Sequence, residues 1–272
     1  MQVSDALLKQ TVEVVKAASV EVMNRFRRSQ TVWEKDAAAS ADGPIQNPVS
    51  EADLAANEIL RTGLTAALPH AGWLSEETAD DPVRLDRQMV WIVDPIDGTQ
   101  EYINGIDEFA ISVALSVHGE PRLAVLYNPA RDELFQAMAG RGCRLNRKPV
   151  RARPRNKLEG SKLLASRTES ERGEFRPFED KFEVQVVGST AYKLAMIAAG
   201  NGHAYFTRKP RNEWDIAAGV LLCREAGAIV TDLDGNAHRF NRPDPLCRGI
   251  VCAVRGVHSH VMEQIKKAGT LL

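Results

Sequence analysis

Apolar residues near the start of the chain recur at helical spacing. Between residues 4 and 28 they lie on one face of a helix, at Leu8, Val12, Val15, Val22, Met23 and Phe26. A second helix is predicted after Ser50, because Ser50-Glu-Ala-Asp53 has the form of a capping box. Asp53 then lies in the first turn of that helix.

The middle of the chain has the pattern of strands. Residues 89–93 form an apolar run, and residues 109–117, 122–127 and 133–138 form three more, separated by turn-forming residues. These last three predict an antiparallel meander. Further along, helical and strand-like segments alternate, which favours an α/β arrangement. The predicted helices cover 189–199, 215–226 and 257 to the end, and the predicted strands cover 203–206, 228–231 and 249–254.

Two segments break these patterns. Residues 36–48 carry small and turn-forming residues without periodicity, which predicts a loop acting either as a lid or as slack chain. Residues 147–160 are rich in Arg, Lys and Pro and poor in large apolar groups, as at a domain boundary. We therefore predict an N-terminal α+β domain over residues 1–150 and a C-terminal α/β domain over residues 151–272.

Composition narrows the class of protein. With 272 residues, 44% of them hydrophobic, the chain can bury a core without disulfides. Its 35 basic and 36 acidic residues give a net charge of −1, which predicts neither a nucleic acid polymer nor a membrane as partner. The four cysteines form no CxxC pair and predict reduced, buried thiols. We expect a cytoplasmic protein, because the sequence has no signal-like start and no apolar run of about 18 residues.

The most informative stretch is Trp-Ile-Val-Asp-Pro-Ile-Asp-Gly-Thr at residues 91–99, where a hydrophobic run ends in two carboxylates. Asp94 and Asp97 repel each other, so they share a site most readily when a cation lies between them. Gly98 permits close backbone approach, and amides at a following helix N-terminus can hold a phosphate. The stretch predicts a divalent metal beside a phosphate.

Glu76 and Asp215 lie at other element boundaries, where side chains can converge with those of Asp94 and Asp97. Such hard oxygen ligands favour Mg²⁺ over zinc, because Mg²⁺ prefers carboxylates, water and substrate phosphate. The alternative for each acid alone is a solvated cap or turn residue, and Asp-Pro is a common turn opener. The strand before Asp94 and the Gly98-Thr99 pair favour the metal interpretation.

Three segments together resemble the inositol monophosphatase superfamily of Mg²⁺-dependent, lithium-sensitive phosphatases. Residues 91–99 are similar to its signature, residues 75–77 (Ser-Glu-Glu) to its upstream acidic motif, and residues 213–219 (Glu-Trp-Asp-Ile-Ala-Ala-Gly) to its downstream motif. The similarity runs from about residue 5 to 265. The resemblance implies a five-layered α-β-α-β-α sandwich, commonly dimeric.

The resemblance also implies the metal ligands. Glu76 and Asp94 would bind the first Mg²⁺ with the Ile96 carbonyl. Asp94, Asp97 and Asp215 would bind the second, and a third, weaker ion is allowed near Glu76.

The catalytic set that the resemblance implies is Asp53, Thr99 and Glu76. Thr99, paired with Asp53, would orient the attacking water. The backbone amides of Gly98 and Thr99 would hold the phosphate, where fixed dipoles favour its transition-state charge.

On the substrate side, Gly188-Ser189 resembles the family's Gly-Ser motif before a helix; a plain N-cap at Ser189 is the alternative, and both can hold. Arg208 stands where inositol-specific members place a glutamate, seven residues before the Trp-Asp aspartate. With Lys209 and Arg211 it forms a basic cluster suited to a second phosphate. The alternative is a solvated basic turn.

The substrate expectation rests on this cluster and on residues 98–102, Gly-Thr-Gln-Glu-Tyr, which resemble bacterial bisphosphate nucleotidases. Gln100 departs from that form, and residues 104–115 are closer to inositol monophosphatases. We expect hydrolysis of 3′-phosphoadenosine 5′-phosphate; the alternative is inositol monophosphate or another sugar phosphate. A non-catalytic phospho-ligand-binding relative is a remote alternative, because every implied ligand and Thr99 are present.

A rival motif is Asp232-Leu-Asp-Gly235, which mimics the nucleophile motif of haloacid-dehalogenase phosphatases. Only 37 residues follow Gly235, too few for the rest of that fold. A type I′ hairpin turn is predicted instead.

Overall fold

A computed structural model describes residues 3–34 and 48–269. Residues 36–47 of the predicted loop, and with them its lid role, lie outside the described residues. The helices are α1 Asp5–Arg25, α2 Glu51–Ala67, α3 Thr99–Ile103, α4 Arg167–Glu171, α5 Thr190–Ala198, α6 Glu213–Ala226 and α7 His258–Gly269. Two short 3-10 helices cover Pro82–Asp86 and Arg176–Phe178.

Most strands belong to two sheets. A seven-stranded sheet runs in chain order through β3 Gly72–Ser75, β4 Met89–Asp97, β5 Ala110–Val117, β6 Glu120–Asn128, β7 Glu133–Met138, β8 Cys143–Leu145 and β9 Lys148–Val150. A five-stranded sheet contains, in spatial order, β11 Phe182–Val186, β10 Ser161–Ala165, β12 Ala204–Thr207, β16 Ile250–Ala253 and β14 Ile229–Thr231. Short pairs are β1 Val32–Glu34 with β2 Pro48–Ser50, and β13 Arg211–Asn212 with β15 Leu246–Cys247.

Helices and sheets stack in five layers, as the resemblance implies. Helices α1 and α2 pack against the seven-stranded sheet, whose strands also contact α5 and α6. The same two middle helices pack against strands of the five-stranded sheet, and α7 contacts β16 of that sheet. The predicted α-β-α-β-α architecture is therefore confirmed.

Strand β4 is apolar on both faces because both faces are covered. Trp91 and Val93 belong to the core shared with α1 and α2. Val90 and Ile92 belong to the core shared with the middle helices. A strand buried on both sides needs a continuous apolar run rather than alternation, which is the pattern seen at residues 89–93.

The meander of β5, β6 and β7 is antiparallel, as predicted. Strand β4, however, extends four residues beyond the predicted apolar run. Asp94 pairs with Ser112 and Asp97 with Ala110 of β5, with an irregular register between them. Backbone pairing does not depend on the side chain, so the two carboxylates lie within an irregular strand end rather than after it.

The four cysteines are unpaired and buried, as predicted. Residues 151–160 connect the two sheets between β9 and β10; the division of the chain at residue 150 stays a prediction. Among the described helices, none combines the length and apolar character that crossing a bilayer requires.

Candidate metal centre

The carboxyl ends of β3 and β4 place two acidic residues side by side. The strands are parallel, with Ser75 in register with Val93. The amide of Glu76 donates to the Val93 carbonyl at 3.3 Å, so Glu76 leaves β3 where Asp94 continues β4. This adjacency follows from the parallel pairing, because parallel strands end at the same edge of a sheet.

The N-terminus of α6 brings a third carboxylate to this edge. Asp215 completes a capping box with Asn212, whose amide donates to Asp215 Oδ2 at 3.0 Å. Ser112, the partner of Asp94 in β5, donates to the Trp214 carbonyl at 3.3 Å. One oxygen from each of Glu76, Asp94 and Asp215 lies within 4.8 Å of the others.

The electrostatics of these carboxylates favour a cation among them. Burial, followed by the charges of Glu76, Asp97 and Asp215, raises the pKa of Asp94 well above its usual range. Loss of contact with water, followed by Asp97 and Glu76, raises the pKa of Asp215. Without protons or a cation, such a group of carboxylates is unstable. Three hard oxygen donors from separate segments fit a divalent metal such as Mg²⁺.

Asp97 lies outside this group of three. Its Oδ2 accepts hydrogen bonds from the Ser189 hydroxyl and from the Ala191 amide, at the start of α5. Burial raises its pKa, against the opposing effects of Ser189 and of the Lys193 charge. Of the four predicted acids, the structure thus gathers three and binds the fourth to a helix N-terminus. A metal-binding role for Asp97 stays a prediction.

Thr99 and Asp53 form the predicted pair. Thr99 Oγ1 lies 3.2 Å from Asp53 Oδ1 and 3.0 Å from the Ile96 carbonyl oxygen. The other oxygen, Asp53 Oδ2, accepts from the amide and hydroxyl of Ser50 at 2.8 and 2.6 Å. Burial raises the pKa of Asp53 to about 6, although the Ser50 hydrogen bonds lower it. The capping box of α2 therefore orients the carboxylate that meets Thr99.

Gly98 occupies a position that requires glycine. Its φ is 96°, and an added Cβ would lie 3.0 Å from the Glu108 carbonyl oxygen and 3.1 Å from Ser189 Cβ. Gly188 is similarly confined, because a Cβ there would come within 2.3 Å of Glu101 Cδ. Ser189 caps α5 by accepting from the Tyr192 amide at 2.9 Å, so the N-cap interpretation is confirmed. Substrate contacts by Gly98, Gly188 and Ser189 stay predictions.

Two of the three residues in the predicted basic cluster form ion pairs with glutamates. Lys209 lies 3.5 Å from Glu174, and Arg211 lies 3.7 Å from Glu169. Arg208 is half-buried, and no described residue forms an ion pair with it. Of the three cations, Arg208 is therefore the one that no ion pair engages among the described residues.

Two charged residues at the site were missed by sequence reasoning. Lys193 is 2% exposed, and its Nζ donates to the Val187 carbonyl at 3.1 Å. Burial lowers its pKa to about 8. Glu108 accepts from the Gly188 amide at 2.8 Å and pairs with Arg167 at 2.7 Å. Lys193 could have been found from the sequence, because it is the single charged residue of α5. Glu108 lies in a loop, and no sequence pattern indicates its role.

The rival motif does not form the predicted hairpin turn. Asp232 Oδ1 accepts from the amides of Asp234 and Asn236 at 2.9 and 2.8 Å. Only Gly235 of this stretch has a positive φ, whereas a type I′ turn needs two. The type I′ prediction is therefore wrong, and the side chain of Asp232 holds the turn instead.

Without a metal ion, the protein is expected to lose stability as the pH rises from about 4 to above 6. The raised pKa values of Asp94, Asp215 and Asp53 mean that the native state keeps protons that the unfolded chain has released. This contribution is full below the unfolded pKa of about 3.9 and is lost through the folded pKa values. Since a cation replaces these protons, Mg²⁺ should stabilise more at about pH 8 than at about pH 5.

Scanning calorimetry in EDTA and in excess MgCl₂ checks this expectation. We expect Mg²⁺ to raise Tm by roughly 5–10 °C at the higher pH and by much less at the lower. Asp94→Asn should reduce the pH-dependent gain, while Asp86→Asn, a matched change at an exposed position, should keep it. Equal Mg²⁺ gains at both pH values would contradict the expectation.

Comparison with known proteins identifies the family. The sequence profile of the inositol monophosphatase family matches residues 4–270. An inositol-1-monophosphatase from Rhizobium meliloti is 34% identical over 271 residues, covering 96% of this chain and 97% of that protein. The Nus factor SuhB of Xylella fastidiosa is 33% identical over 220 residues, covering 77% and 78% of the two chains.

Solved structures show the same fold. The crystal structure of the extragenic suppressor protein suhB from Bartonella henselae superposes with a TM-score of 0.83 at 29% identity, covering 97% of this chain and 99% of that one. The family profile spans nearly the whole chain, including all the segments that build the carboxylate group. The chain belongs to the inositol monophosphatase family.

Proposed function

We propose that this protein hydrolyses inositol 1-phosphate or a closely related sugar phosphate, with two Mg²⁺ ions at the carboxylate group. The family consists of phosphoric monoester hydrolases that in general require Mg²⁺. The convergence of Glu76, Asp94 and Asp215 beside the Thr99–Asp53 pair supports the proposal. The proposal also includes a third, weakly bound Mg²⁺ near Glu76 and inhibition by lithium.

Each side chain has a defined part in the proposed reaction. Glu76, Asp94 and Asp215 would hold the metal, with the Ile96 carbonyl and Asp97 as further ligands. Bound Mg²⁺ supplies charge that acidifies water and neutralises a phosphate. Gly98 and Thr99 would donate their amides to the phosphate.

The attacking water would be oriented by the Thr99 hydroxyl. Asp53 can accept a hydrogen bond from that hydroxyl. The Thr99 oxygen is then free to accept a hydrogen bond from the water. Oriented proton transfer of this kind contributes about 10²–10⁴-fold to rate. Because Ser50 fixes the second oxygen of Asp53, the carboxylate is positioned before substrate arrives.

The relatives favour an inositol phosphate as substrate. Two similar curated proteins carry the name inositol-1-monophosphatase: the one from Rhizobium meliloti, and one from Mesorhizobium japonicum that is 35% identical over 238 residues. These names support inositol monophosphate, the alternative substrate considered from the sequence, more than the bisphosphate nucleotide. Arg208 is the specific observation that favours the second candidate, 3′-phosphoadenosine 5′-phosphate, because its guanidinium is unpaired among the described residues and suits a second phosphate.

Arg208→Glu is expected to separate these two candidates. If Arg208 binds a second phosphate, its replacement should lower kcat/KM for 3′-phosphoadenosine 5′-phosphate by roughly 10–100-fold. The value for inositol 1-phosphate should change little, since that substrate carries one phosphate. Initial rates with Mg²⁺ on these substrates and on fructose 1,6-bisphosphate provide the measurement.

Arg87→Glu is the matched control, because Arg87 is exposed and precedes the start of β4, whereas Asp94 lies near the opposite end of that strand. It should leave all three specificity constants near the wild-type values. Losses of the same size on all three substrates in Arg208→Glu would remove Arg208 from substrate recognition.

A non-catalytic role is the remaining alternative. Some relatives carry the name Nus factor SuhB, which names no substrate. The retained carboxylates and Thr99 favour catalysis in this chain. We also propose a cytoplasmic homodimer, from the family resemblance and the unpaired cysteines.

A further inference from the structure

A strongly basic surface lies apart from the metal centre. We define the basic face as residues 141–157, which contain eight Arg and Lys residues and no Asp or Glu. The formal charge of the chain is −1 although this segment contributes +8, so the other residues together carry −9. Charge separation on this scale creates a local field that the net charge conceals.

Most of these cations have no acidic partner. Arg141 pairs with Asp5 at 2.9 Å, and Arg155 donates to the Glu159 carbonyl at 3.3 Å. The other six are exposed, and within the described part of the chain none forms an ion pair. They are Arg144, Arg147, Lys148, Arg151, Arg153 and Lys157.

The basic face lies far from the carboxylate group. The amide of Ala152 donates to the carbonyl of Ala226, the last residue of α6, at 3.0 Å. Asp215 lies in the first turn of the same helix. Ala226 follows Asp215 by eleven positions, so at about 1.5 Å per residue the helix places them roughly 16 Å apart. The basic face is therefore not a wall of the metal site.

The face has a concave part. A cleft of about 320 Å³ is lined by Arg141, Arg144, Arg151 and Arg224, together with Glu225. The two carboxylate oxygens of Glu225 accept hydrogen bonds from the amides of Gly140 and Gly142, at 2.8 and 2.7 Å. Helix C-termini attract cations, but that effect falls off within the last turn. It does not account for six unpaired cations on one segment.

We propose that the basic face binds the phosphate backbone of double-stranded nucleic acid. Six of its eight cations are arginines, whose planar guanidinium groups bind phosphate in bidentate fashion. The segment has no aromatic residue, so it offers no platform for stacking unpaired bases. It has no exposed large hydrophobic residue either, so it offers nothing to insert into a membrane.

This inference differs from the expectation drawn from net charge. The value of −1 predicts no polymer partner only if the charges are evenly spread, and they are not. Backbone contacts of this kind are independent of base sequence and weaken steeply with salt. They require no change at the phosphatase site.

Fluorescence anisotropy with the full-length protein tests the proposal. The probes are labelled duplex RNA and duplex DNA of one arbitrary sequence, titrated over a series of KCl concentrations. The triple variant Arg144→Glu/Arg151→Glu/Arg153→Glu should weaken binding at least about 30-fold and make the slope of log K against log salt shallower by about 3. The two duplexes decide whether the backbone is RNA, DNA or either.

The matched control is Arg61→Glu/Arg87→Glu/Arg122→Glu, which reverses three exposed arginines elsewhere with the same change of net charge. It should retain most of the affinity. Phosphatase activity and Tm should stay near wild type in both variants, which shows that both fold.

Three outcomes would overturn the proposal. One is that the wild-type protein binds neither duplex at low salt. Another is that the two triple variants lose affinity equally. The third is that the basic face binds phosphatidylserine vesicles but no duplex, which would assign it to an anionic membrane surface.

Discussion

Asp94→Asn is expected to abolish phosphatase activity while leaving the fold intact. Asp94 belongs to the carboxylate group, and one of its oxygens lies within 4.8 Å of oxygens from both Glu76 and Asp215. An amide in its place keeps the shape but removes the charge that would hold the metal. We expect kcat to fall on the order of 10³-fold or more, measured as phosphate release with saturating Mg²⁺.

The stability of this variant distinguishes a functional residue from a structural one. In EDTA the wild-type carboxylate is destabilised by burial and by its acidic neighbours, which raise its pKa. An amide relieves this repulsion, and its oxygen can still accept from the Ile96 amide, as Asp94 does at 3.0 Å. Tm in EDTA should therefore stay constant or rise.

Asp86→Asn is the matched control, because Asp86 is exposed and precedes the start of β4, whereas Asp94 lies near the opposite end of that strand. It should retain full activity. An active Asp94→Asn enzyme would refute the proposed metal centre, and inactivity accompanied by a large fall in Tm would indicate a structural role.

Local signals predicted much of the fold. The capping box at Ser50 and Asp53 is a short-range pattern, and in the structure the Ser50 amide donates to Asp53 Oδ2 as that pattern requires. The apolar run before Asp94 is also a local pattern, because a short run of consecutive apolar residues is typical of a buried strand. Boundaries were less accurate: β4 continues to Asp97 because strand pairing with β5 tolerates polar side chains.

The arrangement within the site could not be read from the sequence in the same way. Sequence spacing placed Asp94 and Asp97 together as ligands, but it carries no information about α5, which supplies Ser189 and the Ala191 amide to Asp97. The basic cluster failed for a similar reason. Lys209 and Arg211 are paired with glutamates that lie more than thirty residues earlier in the chain.

The family resemblance was more informative than either kind of local pattern. It implied the pairing of Thr99 with Asp53, residues 46 positions apart, and the structure contains that contact. No periodicity or spacing rule relates these two residues. The resemblance was less informative about the substrate. Residues 98–102 are similar to nucleotidases and indicated 3′-phosphoadenosine 5′-phosphate, whereas the names of the curated relatives favour an inositol phosphate.

Thr99→Val is expected to lower kcat by about 10²–10⁴-fold with little change in KM. The substitution preserves the branched shape but removes the hydroxyl that lies 3.2 Å from Asp53 Oδ1. The backbone amide of residue 99 remains, so phosphate binding should persist. Steady-state kinetics on inositol 1-phosphate provides the measurement, and Thr99→Ser, which restores the hydroxyl, should recover most of the rate.

Asp53→Asn should show whether the pair acts as a unit. If Thr99 orients water only with the help of Asp53, each single variant already disables the pair, and the double variant should be little worse than either one. Thr62→Val, at an exposed helical position, should have no effect. Losses in kcat that multiply in the double variant would mean that the two residues act separately, and an active Thr99→Val enzyme would remove the hydroxyl from the proposed reaction altogether.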